Sequence, residues 1–346
     1  MLDRIIATDK IEKLKKLIDG SKRIAITCHL APDGDALGST LAMWHLLRQL
    51  GKTAHVVTPD VPASHLMFIP GAKEIVPFSR FDEFGKQIFR LADLVICLDF
   101  NALHRIDLLR PVVEECKAPK VLIDHHINPE NFADVTISHP EISSTCMLLF
   151  RVICQLGWEP LIDRQTASCI YTGMMTDTGN FSYNSCDPDL YIVISHLLKK
   201  GIDKDQLYKL AFNTKKENVL RLNGFALSER MTVFPEHSAA LIVLSLADLE
   251  RFSYRQGDTE GLVNMPLSIP EVQYVAYLRE GKDYIKVSTR SEGEIPVNHI
   301  CETYFNGGGH KNAAGGEFYG TLEEAAETFV KAMPEYDKYL KNNDKK

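Results

Sequence analysis

RIAITCHLAPDGDALGS, residues 23–39, decides the fold of this 346-residue chain. RIAITC is dominated by apolar and β-branched residues and reads as a buried strand. The strand runs directly into a loop carrying His29, Asp33 and Asp35. That loop opens ALGSTLAMWHLLRQLG (36–51), a helix pattern closed by Gly51. An apolar strand followed by a helix is the repeating unit of a parallel sheet covered on both faces. The unit recurs, because TAHVVTP (53–59), DLVICLD (93–99) and KVLID (120–124) are further short apolar strands with helical stretches between them. STCMLLFRVICQLG (144–157), DRQTASCIYTGMMTD (163–177) and PDLYIVISHLLKKG (188–201) read as helices.

The expectation is therefore an α/β fold. A mostly parallel sheet with helices on both faces occupies residues 1–201, a charged linker 202–226, and a smaller α/β domain 227–346. In the last, MTVF (231–234), AALIVLSL (239–246), VQYVAYLRE (272–280) and DYIKVSTRS (283–291) read as strands, followed by a helix ending near Tyr304. The Gly-rich FNGGGHKNAAGGEF (305–318) and a final acidic helix complete the chain.

Open α/β sheets bind ligands at the carboxyl ends of their strands. Three strands deliver acid or imidazole groups there: His29, Asp33 and Asp35 after the first, Asp99 after DLVICL, and Asp124, His125 and His126 at the end of KVLID. Asp177, in the turn TDTGNF after a helix, is a fourth candidate. Each group alone has a plain alternative, such as Asp33 capping the helix that follows it. Together, carboxylates this crowded would repel one another unless divalent cations neutralised them. A donor set of oxygen and imidazole nitrogen without thiolate suits Mn²⁺, Zn²⁺ or Fe²⁺, and Mn²⁺ is the first choice. Two such ions can share a carboxylate and activate a hydroxide for in-line attack on phosphorus.

The bulk properties narrow the class. No apolar run approaches the ~20 residues that span a bilayer, and the N-terminus lacks the apolar stretch of a secretory signal, so the chain reads as cytoplasmic. Eight scattered cysteines without a CxxC pair argue against disulfides or a thiolate zinc site. A formal net charge of −7 provides no basic footprint for long nucleic acid, so a nucleic-acid substrate would be short and gripped locally.

At HLAPDGDALGS, the strand-end Asp99, Asp124-His125-His126 and TDTGNF the chain resembles the DHH phosphoesterase superfamily. STRS (288–291) and GGGHKNAAG (307–315) resemble its DHHA1 substrate-binding domain. The resemblance implies one metal held by His29, Asp33 and Asp99, and a second held by Asp35, Asp99, His125 and Asp177, with Asp99 shared. Asp124 would orient a neighbouring histidine, and His126 would face the substrate phosphate as a charge stabiliser or acid. Gly307, Gly308 and Gly309 would let backbone N–H groups converge on an anion beside His310. Arg290 would fork a terminal phosphate. Arg105 is a second candidate, with a surface ion pair as the alternative.

Within the superfamily the architecture resembles compact bacterial oligoribonucleases that also remove the 3′-phosphate of adenosine 3′,5′-bisphosphate (pAp). The alternative is a soluble phosphodiesterase of cyclic di-AMP or its linear dinucleotide. A non-catalytic nucleotide sensor on this scaffold would show a broken ligand position, and every position is filled. The second domain is expected to close over the metal edge. The apolar helices at 144–200 serve equally as a homodimer face or as buried core.

Overall fold

A computed structural model describes residues 4–340. The chain divides into two compact units, Met1–Thr214 and Lys215–Lys346.

The first unit opens with α1 (Thr8–Gly20), whose Ile11, Leu14 and Ile18 recur at helical spacing and are buried. It continues with β1 (Arg23–Thr27), α2 (Gly34–Gln49), β2 (Thr53–Thr58), β3 (Val76–Pro77) and α3 (Asp82–Leu91). Next come β4 (Leu94–Leu98), α4 (Arg110–Glu115), β5 (Lys120–Asp124) and β6 (Val135–Ser138), then α5 (Thr145–Gln155), α6 (Arg164–Asp177), α7 (Pro188–Lys199) and α8 (Lys204–Phe212). The six strands form one sheet in the order β3-β2-β1-β4-β5-β6, parallel throughout.

Strand periodicity explains why both faces are covered. Along β4, Leu94, Ile96 and Leu98 join a core with α1, α2, α5, α6 and α7, while Val95 and Cys97 join a second core with α3 and α4. All five residues are fully buried, so the strand reads as one apolar run. The apolar residues of α5 and α6 lie almost wholly in the first core. On α7, by contrast, Tyr191, Ile192 and Leu198 are exposed.

The stretch expected to link the domains is largely helical. Asp203 caps α8 by accepting from the Gln206 N–H, and Leu207 anchors the helix in the first core. After the division, the second unit begins with α9 (Glu217–Glu229).

This unit continues with β7 (Met231–Phe234), β8 (Ala239–Leu244), α10 (Leu246–Arg251), β9 (Tyr274–Glu280), β10 (Ile285–Ser291), α11 (Val297–Tyr304), β11 (Gly308–His310), β12 (Ala313–Phe318) and α12 (Leu322–Tyr336). Its sheet runs β11-β12-β10-β9-β8-β7 and is antiparallel except between β8 and β9. Helices α11 and α12 cover one face, α9 and α10 the other. The Gly-rich segment is therefore a hairpin rather than an open loop. Glycine has no side chain to favour a strand, and pairing with β10 supplies what propensity lacks.

Candidate metal centre

The order β3-β2-β1-β4-β5-β6 reverses direction between β1 and β4, the switch point at which doubly wound sheets open a crevice beyond their carboxyl ends. His29 and Asp33 follow β1, Asp99 follows β4, and Asp124, His125 and His126 end or follow β5. Asp35 lies in the first turn of α2, and Asp177 is the last residue of α6. Close helix packing brings these last two together. A Cβ added at Gly173 on α6 would sit 2.2 Å from the Cys146 Sγ and 2.6 Å from an Asp35 carboxylate oxygen. Only glycine lets α6 pass there.

Asp33 divides its two oxygens between structure and site. Oδ1 caps α2, accepting from the Asp35 and Ala36 N–H groups at 3.0 Å each. Oδ2 faces the His29 Nε2 at 3.8 Å. Asp99 also faces two ways: Oδ2 lies 3.5 Å from the His29 Nε2, and Oδ1 lies 3.7 Å from the His125 Nε2. His125 Nε2 is in turn 3.4 Å from the Asp177 Oδ2. Asp99 is buried with φ 65°, a left-handed conformation that costs an L-residue about 1 kcal/mol or more.

The chemistry of these contacts shows what they lack. His29 Nδ1 is 2.7 Å from the Leu30 carbonyl, and His125 Nδ1 is 3.1 Å from the Ile142 carbonyl. A carbonyl oxygen only accepts, so both Nδ1 atoms carry the proton and donate. In the neutral ring, Nε2 is then a lone pair aimed at carboxylate oxygens that also offer only lone pairs. Such an arrangement needs a cation between its members. Donors ~2.0–2.2 Å from one ion and ~90–110° apart lie about 2.8–3.6 Å from each other; two of the four pairs fall inside that spacing and two just beyond it. These separations exceed the ~2.7–3.2 Å of an N–H···O hydrogen bond.

Without an ion, protons are drawn to the same atoms. Burial pushes the Asp35 carboxyl well above the aspartate range, and the Asp99 and Asp177 charges add to the effect. Burial, with Asp33 and Asp99, does the same to Asp177. Burial opposes charge on His29, yet Asp33 and Asp99 outweigh it and raise its pKa well above normal. Burial opposes ionisation of Asp99 too, but His29 and His125 hold it below the usual range.

Two groups have donor atoms all within 4.8 Å of one another: His29, Asp33 and Asp99, and Asp35, His125 and Asp177, the second without the Asp99 that the resemblance also implies for it. Asp99 faces both. A third group, Asp99, His125 and His126, has the same spread. Its His126 Nδ1, however, lies 2.7 Å from the Asp124 Oδ1 and donates there. The His126 Nδ1 is thereby committed to Asp124.

One further residue, at the start of α5, reaches the centre. Ser144 does cap α5, accepting from the Met147 N–H at 3.1 Å. The adjacent Thr145, however, donates its hydroxyl to the Asp99 Oδ1 at 2.8 Å, and its N–H to the Asp35 Oδ2 at 2.6 Å. The Cys146 N–H reaches the other Asp35 oxygen at 2.9 Å.

Arg105 sits on a 3₁₀ turn, Leu103–Leu109, and its carbonyl accepts from the Leu30 N–H at 2.8 Å beside the His29 loop. Among the described residues its guanidinium makes no ion pair, so the structure does not contain the alternative expected for it. In the second unit, His310 on β11 pairs with Ala313 on β12, which pairs with Arg290 on β10. Directly paired residues project from the same face, so the two basic side chains flank a small alanine. Gly307 has a more local duty than anion binding. Its N–H donates to the Cys301 carbonyl at 3.1 Å and closes α11. A Cβ there would lie 2.0 Å from the Gly315 carbonyl oxygen.

A doubly wound sheet that gathers carboxylates and imidazoles at its switch point defines the class of metal-dependent hydrolases. The chain belongs to the DHH family: residues 23–174 match the DHH family, N-terminal domain, and residues 239–337 the DHHA1 domain. It is similar to an exopolyphosphatase-related protein of Bacteroides fragilis, with a TM-score of 0.96 and 46% identity over 97% of this chain and 99% of that one. It is also similar to the bifunctional oligoribonuclease and PAP phosphatase NrnA of Thermus thermophilus, at 29% identity over 94% of this chain and 93% of the relative. The Bacillus subtilis protein of the same name is 26% identical over 84% of this chain and 88% of its own length. The chain is thus a phosphoester hydrolase. No helix among the described residues is long and apolar enough to cross a membrane.

Proposed function

We propose that this enzyme hydrolyses short oligoribonucleotides to mononucleotides and removes the 3′-phosphate of pAp, with two divalent ions, Mn²⁺ foremost. The observation that carries the reading is Asp99, whose two oxygens face two different imidazoles, Oδ2 toward His29 and Oδ1 toward His125. His29, Asp33 and Asp99 would hold one ion. Asp35, Asp99, His125 and Asp177 would hold the other. Bound there, the ions would neutralise the phosphate and lower the pKa of an attacking water.

The remaining work falls to the chain itself. The Leu30 and Ile142 carbonyls hold the His29 and His125 rings with Nε2 facing the carboxylates, where it would serve as a ligand. Asp124 fixes His126, whose Nε2 proton passes to the leaving oxygen. Arg105, whose backbone is tied to the His29 loop, is the candidate in this unit to meet a phosphate oxygen. Within the second unit, Arg290 and His310, paired through Ala313, form the candidate grip for a phosphate. A net charge of −7 suits a substrate that only such local grips hold. The names of the Thermus thermophilus and Bacillus subtilis relatives support the same substrates.

The test offers the Mn²⁺-loaded protein a short RNA, pAp, cyclic di-AMP and its linear product side by side. The proposal expects the RNA and pAp to be turned over. Much faster cleavage of cyclic di-AMP than of the others would contradict it.

A further inference from the structure

Nothing in the two ligand sets explains why the shared carboxylate keeps one oxygen for each set. An aspartate rotates readily about its last torsion, and either oxygen can swing toward either imidazole. Asp99 offers no alternative anchor in its own turn, since its backbone is left-handed and its N–H is engaged with the Ile123 carbonyl at 3.2 Å. The Thr145 hydroxyl meets only Oδ1, the oxygen that faces His125. The same residue's N–H holds the Asp35 Oδ2, and Asp35 belongs to the same ligand group as His125. Both hydrogen bonds are buried, where such bonds are strong and an unpaired partner is costly. The β-branched side chain at the first position of α5 has few rotamers, so the hydroxyl is held in place.

We infer that Thr145 is a positioning residue that assigns the two oxygens of Asp99 to different ions and thereby builds the site of Asp35, His125 and Asp177. The inference rests on the two-ion reading above. The hydroxyl donates to a lone pair of Oδ1 and leaves the other lone pair of that atom for an ion. Oδ2 lies outside its reach, so the site of His29 and Asp33 does not depend on it.

The test counts ions. Metal-stripped wild type, Thr145→Val and Thr145→Ser are each titrated with Mn²⁺, with free ion read by electron paramagnetic resonance and heat by calorimetry. Circular dichroism and melting temperature confirm folding. Wild type is expected to bind two ions. In Thr145→Val one of the two should weaken about 10–100-fold, the usual effect of losing a hydrogen bond behind a ligand, while the other keeps its affinity. Thr145→Ser, which retains the hydroxyl, should bind both within a few-fold of wild type. Two ions bound normally by Thr145→Val would overturn the inference. So would equal loss in both variants, which would indicate packing rather than the hydroxyl. A wild type that binds fewer than two ions would instead overturn the two-ion reading.

Discussion

The Asp124 Oδ1 accepts a hydrogen bond from the His126 Nδ1 at 2.7 Å, although the two residues are separated in the chain by only His125. The pair is buried. The intervening ring turns away, and its Nδ1 donates to the Ile142 carbonyl. The two neighbouring rings are thus held by different partners, as the proposed roles of ligand for His125 and oriented acid for His126 require.

Asp124→Asn keeps the shape and removes the charge. The expected outcome is a fall in kcat of about 10²-fold or more, the range of a positioned acid, with little change in KM. Steady-state kinetics on short RNA measure it. An unchanged kcat would mean that His126 does not transfer a proton in the limiting step.

Gly173→Ala sets two effects against each other. Replacing a helical glycine favours folding by about 1 kcal/mol, while overpacking a core costs about 1–3 kcal/mol. With the new Cβ 2.2 Å from the Cys146 Sγ and 2.6 Å from an Asp35 oxygen, the cost wins. Melting temperature should drop, and activity should fall further than stability explains because Asp35 is displaced. A variant as stable and active as wild type would contradict this reading of the α2–α6 contact.

Without metal the centre makes stability depend on pH. Burial opposes protonation of His29, but Asp33 and Asp99 raise its folded pKa well above the ordinary ~6.5. The folded state therefore binds this proton more tightly than the unfolded chain does. Its contribution is complete below pH ~6.5 and is lost as pH rises through the raised value. Asp35 and Asp177, also raised, lose theirs in the same direction, beginning above the ordinary aspartate range. Asp99, held low, acts oppositely, and its contribution is lost only in strong acid. The melting temperature of chelated protein should fall between pH 6 and pH 9, and Mn²⁺ should flatten the curve. A chelated protein that becomes more stable over that interval would refute the assignment.

Much of the first sheet is legible in the sequence because β1, β4 and β5 are short, mostly apolar runs that lead into an acid or histidine. Hydrophobic burial specifies such strands, and topology then collects their ends. Strands β3 and β6 escape because two and four residues carry too little pattern. Strands β11 and β12 escape because glycine has no strand preference, and only pairing with β10 makes them strands. His29, Asp33 and Asp35 are readable because they crowd one loop. Thr145 is not, since SST is an ordinary helix start and its contacts lie 46 residues away at Asp99 and 110 away at Asp35. The carbonyls that set the histidine tautomers carry no sequence signal at all.

The most direct test of the account is hydrolysis of short RNA by Asp99→Ala in the presence of Mn²⁺. Asp99 faces both imidazole groups, so its removal should deprive both ions of a ligand and abolish turnover while the fold survives by circular dichroism. Retained Mn²⁺-dependent turnover would contradict the shared-carboxylate centre.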